Sequence, residues 1–148
     1  VSVQLLVYTD YALRVLLYLG ARPGTPTPAS EIARAYAIST DHVSKAAKTL
    51  TRHGLLRSAR GAGGGVQLAR DPAEIRVGDV VRLFEGERGP VSCLRAHARG
   101  DACAIEPACK LREALRRAQA AFYRELDAHT LADLLEDRQP RLLRLLRA

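Results

Sequence analysis

The feature that most restricts how this chain can fold is the run Gly61-Ala62-Gly63-Gly64-Gly65, four glycines in five residues. It lies between two segments that read as strands, Leu55–Arg60 and Val66–Ala69. Glycines at the tip of a hairpin allow turn conformations closed to other residues, and they let the tip approach another backbone closely. A phosphate-cradling loop is the competing use of such a run. It requires a following Lys-Ser or Lys-Thr and then a helix, whereas here a strand comes next.

What precedes the hairpin decides what it is for. Thr27-Pro28 reads as a cap followed by proline at a first helical position, opening a short helix to about Tyr36. Ala37-Ile38-Ser39 forms a turn, and Ser39 caps a helix predicted over residues 40–53, which Gly54 ends. Val43, Ala46, Ala47 and Leu50 recur at spacings of three and four and face inward. Thr40, His42, Ser44, Lys45 and Lys48 are left outward or on the flanks. Two short helices with a three-residue turn make a helix-turn-helix, and the hairpin behind them makes it winged. Short hydroxyl side chains and cations suit an element that enters a DNA groove. The expected contacts are Ser39, Thr40, His42, Ser44, Lys45 and Lys48 on the helix, with Arg60, Gly63 and Gly64 on the wing, where Arg60 can reach a minor groove. The charge balance agrees: 23 Lys plus Arg, mostly Arg, stand against 16 Asp plus Glu, a formal +7 that suits a polyanionic partner such as double-stranded DNA.

Other elements surround this head. A first helix is expected to start at Thr9-Asp10, with Thr9 as its cap and Ala12, Val15, Leu16 and Leu19 as its apolar stripe. A further helix is predicted over residues 77–85. Residues 86–100 read as loop. A long helix then runs from about Pro107 to Ala128, where Leu111, Leu115, Ala118, Phe122 and Leu126 repeat like one side of a coiled-coil seam. The expected role is dimerisation, giving a homodimer. Thr130 and Asp133 cap a short helix over residues 131–136. The apolar tail 142–146 is expected to pack on the dimer helix. The fold class is therefore mainly α: a winged helix-turn-helix with a two-stranded β wing and a long C-terminal dimerisation helix. The predicted divisions are 1–86 for the DNA-binding domain, 87–109 for a cysteine loop, and 110–148 for the dimerisation helix and tail.

All three cysteines fall in one stretch, with nine residues between Cys93 and Cys103 and five between Cys103 and Cys109. No segment reads as a targeting signal or membrane span, so the expected location is the cytoplasm, with reduced thiols and no membrane partner. Clustered thiolates there suit zinc or an iron–sulfur cluster. Zinc sites favour cysteine pairs two to four residues apart, and no such pair exists here, so the wider spacing favours a cluster. Three thiolates leave one ligand open: His97, Glu106, His129, water, or a side chain of a second subunit. No nucleophile has a base beside it, so the chain does not read as an enzyme.

Several motifs together carry a family resemblance over nearly the whole chain. They are Tyr8-Thr9-Asp10-Tyr11-Ala12-Leu13-Arg14, the wing from Arg60 to Ala69, Val77-Gly78-Asp79-Val80-Val81-Arg82, the stretch from Cys103 to Leu111, and Thr130-Leu131-Ala132-Asp133-Leu134. With these the chain resembles the NsrR/IscR family of iron–sulfur winged-helix transcription regulators, and within it the nitric oxide-sensing repressors. The resemblance implies a cluster held by Cys93, Cys103 and Cys109, with Asp10 from the partner subunit as fourth ligand. It implies four irons ahead of two, and release of a DNA operator when nitric oxide nitrosylates the cluster. The gap from Cys93 to Cys103 is longer than is usual in the family and contains His97, which stays open as a substitute ligand. A regulator of the IscR type responding to cluster or redox status, and a zinc-bearing winged-helix interaction module, are the alternatives.

Overall fold

A computed structural model describes residues 5–61, 63–86, 89, 91–94 and 103–146. His97 lies outside the described residues. Helix α1 (Val7–Gly20) occupies the centre. Its stripe of Ala12, Val15, Leu16 and Leu19 is sealed from solvent, together with Ile32 of α2 (Ala29–Ala35) and Val43, Ala46 and Leu50 of α3 (Thr40–Arg52). The wing follows as β1 (Leu56–Ala59) and β2 (Gly65–Leu68), an antiparallel pair with Leu56 opposite Leu68 and Ala59 opposite Gly65. Helix α4 (Val77–Glu85) is amphipathic and buries Val77, Val80 and Val81. Helix α5 (Lys110–Asp127) is the long one. It is followed by α6 (Leu131–Leu135), closed by a reciprocal capping box between Thr130 and Asp133, and by α7 (Gln139–Leu145). The expected mainly helical fold with a two-stranded wing is what the chain adopts, and no described helix is long and apolar enough to cross a membrane.

Beyond shifts of a residue or so at element ends, the structure departs from the sequence reading in four places. Helix α1 begins two residues before Thr9, with Leu6 as its N-cap. Thr9 does not cap it. Its side chain is buried, and its hydroxyl donates to Glu85 Oε1 at 2.5 Å, while the Leu6 N–H donates to the same oxygen at 2.7 Å. A carboxylate from α4 thus does what a local cap would do. Pro28 is the N-cap of α2 rather than its first residue. Thr27 is drawn into the sheet instead, exchanging two 2.9 Å backbone hydrogen bonds with Val66. The expected long helix is divided: Glu106–Ala108 form a separate 3-10 turn, and Cys109 caps α5. Finally, the apolar tail packs on the head. Leu142, Leu143 and Leu146 join the central core, Gln139 Nε2 donates to the Ala21 carbonyl at 3.0 Å, and Arg22 Nη2 donates to the Leu146 carbonyl at 3.4 Å.

The bridge between Thr27 and Val66 explains one glycine. A Cβ at Gly65 would stand 2.3 Å from the Thr27 backbone, where neither chain can yield. Gly65→Ala should therefore cost about 1–3 kcal/mol of stability, as overpacking does, and lower the thermal unfolding midpoint.

Burial also acts on the tyrosines beneath α2. Tyr36 packs against the core with its ring 6.3 Å from that of Tyr18, and burial pushes its hydroxyl up to about 12 from an ordinary 10.0. The neutral phenol is the form the fold prefers. Its contribution is complete below the ordinary value and disappears as pH rises towards about 12. Urea unfolding across that alkaline window should show a steady loss of stability, and Tyr36→Phe should make that loss smaller, leaving the part due to Tyr18 and Tyr123, which burial also raises.

Candidate nucleic-acid interface and cysteine cleft

The reading head is assembled from α3 and the wing. Ser39 ends the turn, and its Oγ accepts from the Asp41 N–H at 3.2 Å, which starts α3 in register. Val43, Ala46, Ala47 and Leu50 anchor the helix in the core, so Thr40, Ser44, Lys45 and Lys48 are turned to solvent. Lys45 reaches back to Asp41 at 3.8 Å, an exposed pair that salt or phosphate can displace. His42 is placed differently from its neighbours: it is half-buried, with its ring stacked on Tyr11 of α1. In the wing, Arg60 is exposed and Gly63 lies at the tip with φ +83°. Gly64 is packed tightly, since a Cβ there would come within 2.6 Å of the Ala59 carbonyl oxygen. The exposed side chains of α3 and Arg60 form a cationic, hydroxyl-bearing surface suited to a phosphate backbone.

The first turn of α1 presents a second polar and aromatic surface. Asp10 is half-exposed and held by Arg14, whose Nε lies 3.0 Å from Oδ1 and 2.9 Å from Oδ2. This hydrogen bond raises the Arg14 pKa. Tyr8 and Tyr11 flank Asp10, and both rings contact His42. Glu85 grips the same turn from below through Leu6 and Thr9.

Two of the three cysteines meet at the mouth of α5. Cys103 is exposed and Cys109 half-buried, and both line an open cleft of 790 Å³ together with Glu106, Pro107, Lys110 and Arg112. Cys109 Sγ accepts from the Arg112 N–H at 3.4 Å, so the N-terminus of α5 is directed at that sulfur. Arg112 also gathers the rest of the cleft. Its Nε donates to the Cys93 carbonyl at 3.4 Å, and its Nη2 lies 3.4 Å from Glu106 Oε1. The turn bearing Cys93 is thereby tied to the other two cysteines. Among the described residues no three His, Cys, Asp or Glu side chains are grouped closely enough to hold a metal ion. Even so, two thiols open onto one cleft, the backbone of the third cysteine is hydrogen-bonded to Arg112 of that cleft, and an N–H already points at one sulfur. This donor chemistry fits an iron–sulfur cluster with one ligand position left open. Glu106 lies in the cleft. His129 does not: it follows the opposite end of α5, about 27 Å away at 1.5 Å per residue, where its Nε2 pairs with Glu125. It drops out as a ligand within one chain. Asp10 sits on α1 in its pair with Arg14.

Helix α5 has no buried residue. Its root is firm: Arg82 of α4 makes a bidentate pair with Asp127 at 2.6 and 2.7 Å and covers the Tyr123 ring. That pairing holds the Asp127 carboxyl below its ordinary range. Beyond it, Leu111 is 65% exposed, and Leu115, Phe122 and Leu126 are only half-buried.

Sequence reasoning did not single out Glu85, Arg112, Tyr8, Tyr11 or the pair Arg82–Asp127 as parts of these surfaces. One signal existed for Glu85. A carboxylate in the last turn of a helix opposes the helix dipole, so it needs a compensating partner elsewhere.

A family model described as Rrf2, iron-dependent transcriptional regulator, matches residues 5–137. The HTH-type transcriptional regulator NsrR of Geobacillus kaustophilus (strain HTA426) is 50% identical over 136 residues, which cover 91% of each chain. A solved structure of a transcriptional regulator of Listeria innocua is 30% identical with a TM-score of 0.73, over 90% of this chain and 86% of that one. The structure of T. potens IscR is 26% identical with a TM-score of 0.72, over 92% and 88%.

The Glu85 contact can be tested alone. Glu85→Ala strands the buried Thr9 hydroxyl and should cost about 1–3 kcal/mol in denaturant unfolding. Glu85→Gln keeps an accepting oxygen and should recover most of the loss.

Proposed function

This chain belongs to the Rrf2 family and is a non-enzymatic, DNA-binding transcription regulator of the IscR/NsrR type, and on that premise we propose that it is a homodimeric repressor controlled by nitric oxide through an iron–sulfur cluster. The observation that carries the reading is the shared cleft of Cys103 and Cys109, with Cys93 tied to it through Arg112, on a chain whose other working surface is a winged head. The likeness to the regulator named NsrR favours nitric oxide as the signal.

In this reading Cys93, Cys103 and Cys109 hold the cluster, and Asp10 of the partner subunit supplies the fourth ligand. A carboxylate is a harder and weaker donor to such iron than a thiolate, so the iron held by Asp10 would be the more readily displaced one. When bound, the cluster would supply irons that react with nitric oxide; the resemblance to the family favours four irons ahead of two. The partner contact needs two copies, and the uncovered apolar residues of α5 are the surface that brings them together. Ser39, Thr40, Ser44, Lys45 and Lys48 face the major groove, while Arg60, Gly63 and Gly64 bring the wing to the backbone and the minor groove. Two recognition helices must stand about one helical turn of DNA apart, roughly 34 Å or a multiple of it. A ligand shared between one chain's cleft and the other chain's α1 sets that separation. Its loss shifts both helices at once and weakens both half-sites.

The test uses protein purified without oxygen and an operator duplex selected from a random-sequence library. Iron and sulfide are counted per chain, then nitric oxide is titrated while DNA binding is followed. Affinity should fall as the cluster reacts, and Asp10→Ala should weaken the cluster and blunt the response. Unchanged DNA binding after complete reaction would refute the sensor. Binding that is equal with and without the cluster would favour a redox or cluster-status regulator of the IscR kind. Zinc without sulfide would favour a zinc-bearing interaction module.

A further inference from the structure

The aromatic contact between α1 and α3 lies where the proposed ligand surface and the DNA surface meet. The His42 ring stacks on Tyr11 with centroids 5.4 Å apart and planes 20° from parallel. It also meets the Tyr8 ring edge-on at 5.8 Å and 88°. Tyr8 and Tyr11 are themselves in edge contact at 6.3 Å. Asp10 is the residue between Tyr11 and Thr9, so one turn of α1 carries the carboxylate, the buried hydroxyl and both rings. On α3, His42 belongs to the first turn, the end that a recognition helix presents to base edges. Its ring is half-buried, whereas Thr40, Ser44, Lys45 and Lys48 are exposed. One face of the imidazole is covered by Tyr11, so its placement follows α1 rather than solvent.

We propose that His42 is a positioning residue, not a base reader: its stack with Tyr8 and Tyr11 carries the position of the Asp10 turn into the DNA-facing turn of α3. The proposal rests on the reading that ligation at Asp10 governs DNA affinity, and it names the side chain through which that control reaches the recognition helix. Stacked and edge-to-face aromatic pairs have the directional preference such a link needs. Ring contact persists when a phenyl ring replaces the imidazole. Direct recognition of a base or phosphate needs the ring nitrogens and does not survive that replacement.

The experiment compares wild type, His42→Ala and His42→Phe, each with its cluster and after its removal, on operator duplexes selected by the wild-type protein. The quantity read is the ratio of the two dissociation constants. Wild type and His42→Phe should share one ratio within about twofold. In His42→Ala the ratio should fall by about two- to tenfold, the scale of an aromatic contact. A second readout needs no cluster. On binding the duplex, the cluster-free wild type and His42→Phe should slow amide exchange in residues 10–14 of α1, and His42→Ala should not. An unchanged ratio in His42→Ala, or protection of residues 10–14 that survives it, overturns the proposal. A loss of affinity in His42→Phe as large as in His42→Ala, with and without the cluster, also overturns it and makes His42 a DNA contact. A wild-type ratio of one is a different failure: it removes cluster control itself, and this inference with it.

Discussion

Helix α1 is a 14-residue rod whose Ala12, Val15, Leu16 and Leu19 side chains are shut away from water, and α3, α4, α6 and β2 all pack on it. Apolar burial of this kind is non-directional, so by itself it would let α1 slide along its axis. Directional contacts stop that. Glu85 holds the N-terminal turn through Leu6 and Thr9. At the other end, Gln139 and Arg22 tie the carbonyls of Ala21 and Leu146 to one another's elements. The buried Thr9 hydroxyl accounts for the strength of the first clamp, because a polar group in the core must keep its partner. The recognition helix, the wing and the long helix are each positioned relative to this rod.

Helix α5 behaves as a lever with one fixed end. Near Asp127 it is bound to α4 by two charge-assisted hydrogen bonds and by the bridge between Arg76 and Thr130. At its other end, about 27 Å away, it carries Cys109 and the cleft. Along its length the apolar side chains find little cover within one chain, which is the physical argument for a second copy. A ligand donated from one chain's α1 into another chain's cleft would then join two rigid bodies at a point far from the lever's root.

Much of the head could be read from the residues alone. The inward spacing of Val43, Ala46, Ala47 and Leu50, the Ser39 cap, the α4 stripe and the Thr130–Asp133 box all appear as expected, because each depends on groups within a few residues of one another. The glycine run likewise announced a hairpin. Thr9 and Thr27 were misread as caps for one reason. A threonine before a helix is a good local cap, but its hydroxyl can be claimed by a distant partner, Glu85 in one case, while the backbone of the other is claimed by Val66. His42 satisfied the outward pattern of α3, yet the packing of two tyrosines from α1 draws it half out of solvent.

The cysteine cleft marks the same division. Three thiols close together in the chain are evident from the sequence, and so is a glycine wing behind a helix pair. Local periodicity and turn chemistry suffice for both, since they act over one or two turns of backbone. Which residues frame those features was a tertiary matter. Arg112 draws the Cys93 turn to the mouth of α5, His129 is carried to the far end of the same helix, and Glu85 closes the first turn of α1 from 79 residues away. Side-chain hydrogen bonds act over about 3 Å in space and are indifferent to distance along the chain. The sequence therefore determined the elements and the chemical character of the site, while only the packing of α1, α4 and α5 decided which side chains hold it together.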